Sequence, residues 1–176
     1  MTINNWLTII AIIIAPIAAV QVQKFLDIRR ERRARKMQVF KTLMTTRATP
    51  LSPYHVESLN MIDIEFYDNK KITEAWKLLL DNFENYPKDT QDPNYQTKLN
   101  SCSEKSKELL TNLLYEVAVS LGYSFDKVHL MRGAYIPKGH ADIELDQEFI
   151  RRSLVGVFLG KLPIPIKVIN VEKTDK

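Results

Sequence analysis

The first segment of the chain is apolar and carries no charge. No charged side chain occurs before Lys24, and the residues from Trp6 to Val22 are almost all apolar. At about 1.5 Å of rise per residue, such a stretch nearly spans the hydrocarbon core of a bilayer, which is about 30 Å thick. The pattern therefore predicts a transmembrane helix over residues 1–23, with Pro16 tolerated inside it.

A cleaved signal peptide is the rival interpretation of this segment. Signal peptides carry positive charge before the apolar stretch and a small-residue cleavage site after it. Here the order is reversed, because the positive charge follows the apolar residues. Positive charge marks the cytoplasmic side of a transmembrane helix. We therefore predict an N-terminus outside the membrane and a C-terminal domain in the cytosol.

The basic stretch after the apolar segment has two compatible interpretations. It can act only as a stop-transfer and orientation signal. It can also bind anionic lipid headgroups, at roughly 1 kcal/mol for each basic residue near the surface. The residues predicted to contact headgroups are Arg29, Arg30, Arg32, Arg33, Arg35 and Lys36.

Helical periodicity resumes directly after the basic stretch. No Pro or Gly occurs in residues 24–49, and Val39, Phe40 and Leu43 lie at helical spacing. We predict one helix that continues from the membrane through a basic stalk over these residues. Pro50 then marks its end, because the residue before a proline disfavours helix.

Residues 50–171 are predicted to form a small, mainly α-helical bundle. The clearest amphipathic pattern is that of Ile72, Ala75, Trp76, Leu79 and Phe83. The segment from Met61 to Phe66 fits two structures, since its apolar residues alternate as in a strand while Ser52-Pro53 upstream is a helix-start signal.

Two further helices are predicted in the second half of the chain. A polar, mobile loop over residues 86–100 precedes a capping box at Ser101 and Glu104, and Gly122 stands where a helix-ending glycine belongs. The last helix is predicted over residues 143–159. The side chains expected to face inward from it are Phe149, Ile150, Leu154, Val157 and Phe158.

The C-terminal part of the chain is predicted to be extended. Two prolines, Pro163 and Pro165, prevent the last helix from continuing. Residues 164–171 are then expected to form a short extended segment of the kind found in edge strands, followed by a polar tail over residues 172–176.

Charge and cysteine content narrow the function classes. The chain carries a net +4, but the segment from Lys24 to Lys36 alone carries +5, so the remainder is −1. A nucleic-acid-binding domain usually carries a basic patch of its own, so we expect no nucleic-acid partner. The single cysteine, Cys102, excludes an internal disulfide, and its position at a predicted helix start is not a catalytic argument.

The segment around residue 55 offers polar side chains without a metal or catalytic pattern. Metal-binding histidines on a helix usually come as i, i+4 pairs, and His55 has no such partner. We expect His55 to be solvated at the start of a helix. Asn60 and Asp63 flank the apolar face of this segment and are expected to cap or tether the stalk helix.

The least regular region, residues 125–142, is where we expect contact with a ligand or partner, because loops carry such contacts. A plain turn between helices is the alternative. The candidate residues are Arg132, Tyr135, Lys138 and His140. The spacing of His140, Asp142 and Glu144 matches no strong metal motif, and His129 adds none. We predict no metal, no cofactor and no catalytic residue.

The run from His55 to Tyr67, HVESLNMIDIEFY, followed by Ala75-Trp76, resembles an uncharacterised family of small bacterial proteins with a single membrane span and a domain of unknown function. Further marks of the resemblance are Tyr135-Ile136-Pro137 and Ile150-Arg151-Arg152. The resemblance covers most of the chain. It implies a location in the bacterial inner membrane, and it implies no activity.

Three function classes are compatible with this sequence. The first, which we predict, is a membrane-anchored interaction or scaffold module that binds a protein partner or a second copy of itself. Small residues in the span support self-association: Ala11, Ala15, Ala18 and Ala19. The second is an effector or sensor that acts on the membrane in bacterial defence or stress. The third is a membrane-tethered enzyme that uses the loop over residues 129–144.

Overall fold

A computed structural model shows a helical protein. It describes the backbone of residues 3–132, residue 135 and residues 137–164, without the side chains of residues 3–13, 138, 140, 141, 144 and 145. No β-strand occurs in these ranges. The predicted fold class, mainly α with a helical bundle, is confirmed for this part of the chain.

The described residues form seven helices, which divide between two compact units. The helices are α1 (Ile3–Thr46), α2 (Pro53–Asn60), α3 (Ile62–Glu65), α4 (Lys70–Glu84), α5 (Tyr95–Ser120), α6 (Lys127–Arg132) and α7 (Lys138–Phe158). The first unit, residues 1–134, contains α1 to α6, and the second unit, residues 135–176, contains α7. The short α6 lies in the region that the sequence predicted to be irregular.

The long helix α1 has 44 residues and continues from the apolar segment into the bundle, as predicted. Val39, Phe40 and Leu43 on its last turns are buried, and α1 packs against α2, α3 and α5. The side chains from Ile14 to Leu26 are exposed. Among the described residues, no helix is both long enough and apolar enough to cross a membrane.

The core of the first unit lies mainly between α4 and α5. Ile72 and Leu79 on α4 are fully buried, as are Leu113 and Val117 on α5. The amphipathic pattern predicted for α4 is confirmed, since its apolar stripe faces this core. Phe83, at the end of the stripe, is partly exposed at the edge of the bundle.

The segment from Met61 to Phe66, whose pattern fitted either a helix or a strand, contains the second of two short helices. α2 ends at Asn60, and α3 carries Ile62 and Glu65. Ile62 and Phe66, four residues apart, are fully buried, whereas Ile64 is 62% exposed. A strand would have placed all three on one face, so the apparent alternation is produced by a helical surface.

The predicted start of α5 is wrong. The helix begins at Tyr95, so Ser101 lies inside it and forms no capping box. Asp92 explains the earlier start: its Oδ1 accepts the backbone N–H of Asn94 at 2.7 Å, and its carbonyl accepts that of Tyr95 at 2.8 Å. This turn places Asn94 at the N-cap and begins the helix at the next residue, so the predicted loop is correspondingly shorter. The end is as predicted, with Gly122 at a φ of 86°.

The second unit departs from the prediction for the last helix. α7 begins at Lys138 rather than at residue 143. The predicted inward orientation is wrong for Phe149, Ile150, Leu154 and Phe158, which are exposed. A helix buries an apolar face only by packing it against another element, and α7 is the only helix described in the second unit. Apart from Ile164, the predicted extended segment and the tail lie outside the described residues.

Candidate functional site

The basic residues of α1 bind the bundle through a nearly buried carboxylate on α3. Nε of Arg35 donates to both carboxylate oxygens of Glu65, at 3.1 and 3.3 Å. Glu65 is only 7% exposed. A buried carboxylate needs a charged or hydrogen-bonding partner, and Arg35 supplies it across the interface between α1 and α3.

A second acidic residue, in the turn between α3 and α4, pairs with two further cations of α1. Asp68 accepts a hydrogen bond from Nζ of Lys36 at 3.1 Å and lies 3.3 Å from the guanidinium of Arg32. The hydrogen bond from Lys36, with the positive charges of both residues, lowers the pKa of Asp68. Arg32 also lies over the ring of Tyr67, with 5.1 Å to the ring centroid.

A fourth basic residue of α1 binds the C-terminal end of α5. Nη2 of Arg33 donates to the backbone carbonyl of Leu121 at 3.0 Å. The last carbonyls of a helix have no partner within the helix and carry partial negative charge. Arg33 therefore satisfies an acceptor that Gly122 leaves open as the chain turns away.

The other two of the six residues predicted to bind headgroups make contacts inside α1 only, among the described residues. Arg29 lies over the ring of Phe25, 4.3 Å from its centroid, and Arg30 pairs with Asp27 at 3.8 Å. The six residues predicted to bind headgroups thus divide by position. Four of them, which we call the clamp residues, connect α1 to α3, to the following turn and to α5: Arg32, Arg33, Arg35 and Lys36. The other two, Arg29 and Arg30, lie nearer the apolar segment and have no partner in the bundle among the described residues.

The residues predicted to contact a ligand in the second half of the chain do not form a described cluster. Arg132 is exposed at the end of α6 in the first unit. Tyr135, in the second unit, is 87% exposed. Lys138 and His140 belong to α7, and their side chains are outside the described set. Their role in ligand contact stays a prediction.

The described residues contain no group of three His, Cys, Asp or Glu side chains able to hold a metal ion. The backbone from His140 to Glu144 is helical rather than a strand or loop. Positions two apart on a helix are related by a rotation of about 200° about its axis, so positions 140 and 142 lie on nearly opposite sides of this backbone.

His55 is placed differently from the prediction, which was wrong. Its side chain is only 2% exposed, and its Nδ1 lies 2.9 Å from Oγ1 of Thr46. Burial lowers the pKa of the imidazole, which favours the neutral form. No local pattern signals this burial, because it comes from the end of α1 packing over the first turn of α2.

The predicted tether between Asp63 and the stalk helix is also wrong. Oδ2 of Asp63 accepts a hydrogen bond from the indole Nε1 of Trp76 at 3.1 Å, which joins α3 to α4. Asn60 is exposed, and the link to α1 is made by Glu65 instead. Cys102 lies within α5, several residues after its start.

These contacts define a class of protein in which a small helical bundle is fixed to a long helix by that helix's own basic residues. The chain belongs to the family of unknown function DUF6680, whose model matches residues 1–176. The resemblance to an uncharacterised family is confirmed to that extent. No match was found among curated proteins or among solved structures.

Proposed function

We propose that this protein is an interaction module that α1 anchors in a bacterial inner membrane, with the bundle on the cytosolic side. One observation carries the proposal. Ile14, Ile17, Val20 and Val22 are all exposed, and at about 100° per residue they lie on several sides of α1. A helix that is apolar all round is a helix for a protein core or a bilayer, and the bundle does not cover it.

The basic residues support the orientation and the height of the bundle. Positive charge directly after the apolar residues favours the cytosolic side. The first clamp residue, Arg32, follows Val22 by a rise of about 15 Å. The bundle therefore stands close to the membrane surface, and Arg29 and Arg30 are the residues left to bind anionic headgroups.

The partner that we propose is a second copy of the chain, bound through the apolar part of α1. Ala15, Ala18 and Ala19 are exposed along one side of this helix, and Ala11 precedes them at helical spacing. Small residues allow two helix backbones to approach closely in a bilayer, where packing rather than the hydrophobic effect drives association. Two copies would then hold two bundles side by side.

Membrane anchoring is tested by placing a charge in the apolar part of α1. The full chain, with a fluorescent reporter at its C-terminus, is expressed in bacteria, and membranes are separated by sedimentation. Ile14→Arg is expected to move most of the protein to the supernatant, since Ile14 is the middle residue of the apolar stretch from Trp6 to Val22 and a charge at the centre of a span costs about 3 kcal/mol. Ile14→Leu is the matched control and should stay with the membranes. A parent chain found in the supernatant would refute anchoring.

Self-association is tested separately, on protein in mild detergent, by light scattering that gives the protein mass. Ala15→Ile places a branched side chain on the small-residue side and is expected to convert a dimer to a monomer. Ile17→Leu, on another side of α1, should leave the dimer intact. A monomeric parent chain would contradict self-association and leave anchoring untouched.

A further inference from the structure

A two-lobed cleft lies where the end of α1 meets α2, α4 and α5. The two lobes have volumes of about 410 and 390 Å³, and they share Pro50, His55, Phe83 and Tyr86 as walls. Each lobe falls within the size range of sites that bind small molecules. The cleft lies entirely in the first unit, at the opposite end of the packed part of α1 from the clamp residues.

The walls of the cleft are apolar with an unbalanced positive charge. Leu110, Leu114 and Leu130 line the first lobe, and Leu59 and Trp76 line the second. Among the described residues, no Asp or Glu lines either lobe.

The cations of the first lobe are Arg47 and Lys107. Lys107 pairs with Glu104 on the exposed side of α5, at 2.6 Å. Arg47 has no acidic partner within the described residues. The charge in this lobe that lacks an anion is therefore that of Arg47.

Arg47 also has a donor without an acceptor. Its Nη1 donates to the carbonyl of Met44 at 2.7 Å, which satisfies the end of α1. Its Nε is buried and has no hydrogen-bond partner in the described part of the chain. Buried donors in native proteins are nearly always satisfied. The helix-capping contact occupies one nitrogen of the guanidinium, and the positive charge of the group stays without an anion among the described residues.

Several polar groups in and beside the cleft are held in place by their own hydrogen bonds. Thr46 donates its hydroxyl hydrogen to the carbonyl of Thr42 at 2.7 Å, so it accepts from Nδ1 of His55. Oγ of Ser106 binds both Tyr86, at 2.9 Å, and Nδ2 of Asn82, at 2.8 Å. Such prior ordering lowers the entropy cost of binding.

We propose that this cleft binds a small organic anion, with its acidic group on Arg47 and its apolar body against the leucine-lined walls. The unmatched positive charge of Arg47 and the apolar walls together favour such a ligand. A neutral apolar compound would leave Arg47 unpaired, and an inorganic anion would leave the apolar walls unfilled. This inference goes beyond the proposed function and does not depend on membrane anchoring.

The test compares two probes of nearly the same size and shape, the anion 4-phenylbutyrate and its neutral amide. The full chain in nanodiscs of phosphatidylcholine is labelled with 5-fluorotryptophan and titrated by fluorine NMR. Trp76 lines the second lobe and reports binding, while the Trp6 signal serves as an internal reference. We expect the carboxylate to bind at least about tenfold more tightly than the amide.

Two variants assign this preference to Arg47. Arg47→Met is expected to remove the preference for the carboxylate while the amide still binds, which also shows that the cleft is still folded. Arg30→Met makes the same change of charge outside the cleft, and it should keep the preference.

Three results would overturn the proposal, and the first two need no variant. The first is that the fluorine signal of Trp76 shows no saturable shift with the carboxylate up to about 10 mM. At that concentration even a ligand with a Kd of about 1 mM occupies most of the protein. The second is equal affinity for the two probes in the parent chain. The third is an Arg47→Met protein that still prefers the carboxylate.

Discussion

Oγ1 of Thr46 and Nδ1 of His55 lie 2.9 Å apart and join the last residue of α1 to the first turn of α2. The direction of this hydrogen bond follows from a second one, since the only hydrogen of the Thr46 hydroxyl is donated to the carbonyl of Thr42. His55 is therefore the donor, through Nδ1. The contact holds the chain reversal between the two helices, where a buried imidazole would otherwise lack a partner.

Thr46→Val is expected to destabilise the protein by about 1–2 kcal/mol, because it leaves the Nδ1–H of His55 buried without an acceptor. The matched control is Thr45→Val. Thr45 is exposed and donates to the same carbonyl of Thr42, at 2.9 Å, so its replacement should change stability by less than about 0.5 kcal/mol. Urea unfolding of the full chain in detergent, followed by Trp76 fluorescence, gives both values. Equal losses in the two variants would show that the hydrogen bond contributes nothing.

The stability of the bundle should fall on mild acidification because of His55. Burial lowers its pKa below the ordinary value of 6.5, so the unfolded chain takes up a proton before the folded one does. The contribution of neutral His55 to the free energy of unfolding is complete above pH 6.5, and it is lost as the pH falls toward the lowered pKa. The slope from this one group is at most about 1.4 kcal/mol per pH unit.

Variants at two histidines separate this effect from general acid sensitivity. His55→Asn keeps a donor near the position of Nδ1 and removes the titration, so its unfolding free energy should vary less between pH of about 7.5 and 5. His129→Gln replaces an exposed histidine and should keep the parent's pH dependence. If all three proteins show the same dependence, another group is responsible.

Arg35→Met is expected to cost about 2 kcal/mol, since it leaves Glu65 buried without its cation. The value lies below that of a fully buried pair because the side chain of Arg35 is 57% exposed and its charge is partly screened. With Glu65→Gln already in place, the same substitution should cost at least about 1 kcal/mol less. A double-mutant cycle measured by urea unfolding tests this. Additive effects would mean that the two residues are not energetically coupled.

Two neighbouring leucines on α4 test the position of the core. Leu79 is fully buried, whereas Leu78 is 54% exposed. Leu79→Ala should therefore destabilise the bundle by about 2–5 kcal/mol, and Leu78→Ala by less than about 0.5 kcal/mol. The comparison uses the same chemical change on the same helix. A large loss at Leu78 would indicate that another surface covers it in solution.

A helix could be predicted where its apolar residues recur at helical spacing and mark the face that it buries. Ile72, Ala75, Trp76 and Leu79 are buried as their spacing predicted, because a helix that packs on one side needs an apolar residue at each turn. The start of α5 could not be predicted in the same way. The pattern offered the capping box at Ser101, whereas in the structure the turn at Asp92 starts the helix upstream of it.

The contacts between distant segments could not be predicted from the sequence. Arg35 and Glu65 were both visible as charges, yet their pairing depends on α3 crossing α1. His55 appeared as a polar residue in a first helical turn, where exposure is usual. Its burial depends on the end of α1, and Arg47 is brought to the same cleft by that same chain reversal. Tertiary packing, which overrides local pattern, determines both positions.

The continuity of α1 also fixes how the bundle is rotated about the helix axis relative to the apolar end of the helix. Because the helix is described without a break from Ile3 to Thr46, the apolar end and the clamped bundle share one helical phase. Removing a single residue between them would rotate the bundle by about 100° while shortening the helix by only about 1.5 Å. In the dimer proposed above, the side of the bundle that faces the second copy would therefore be set by the number of residues in this segment, far more strongly than by its length.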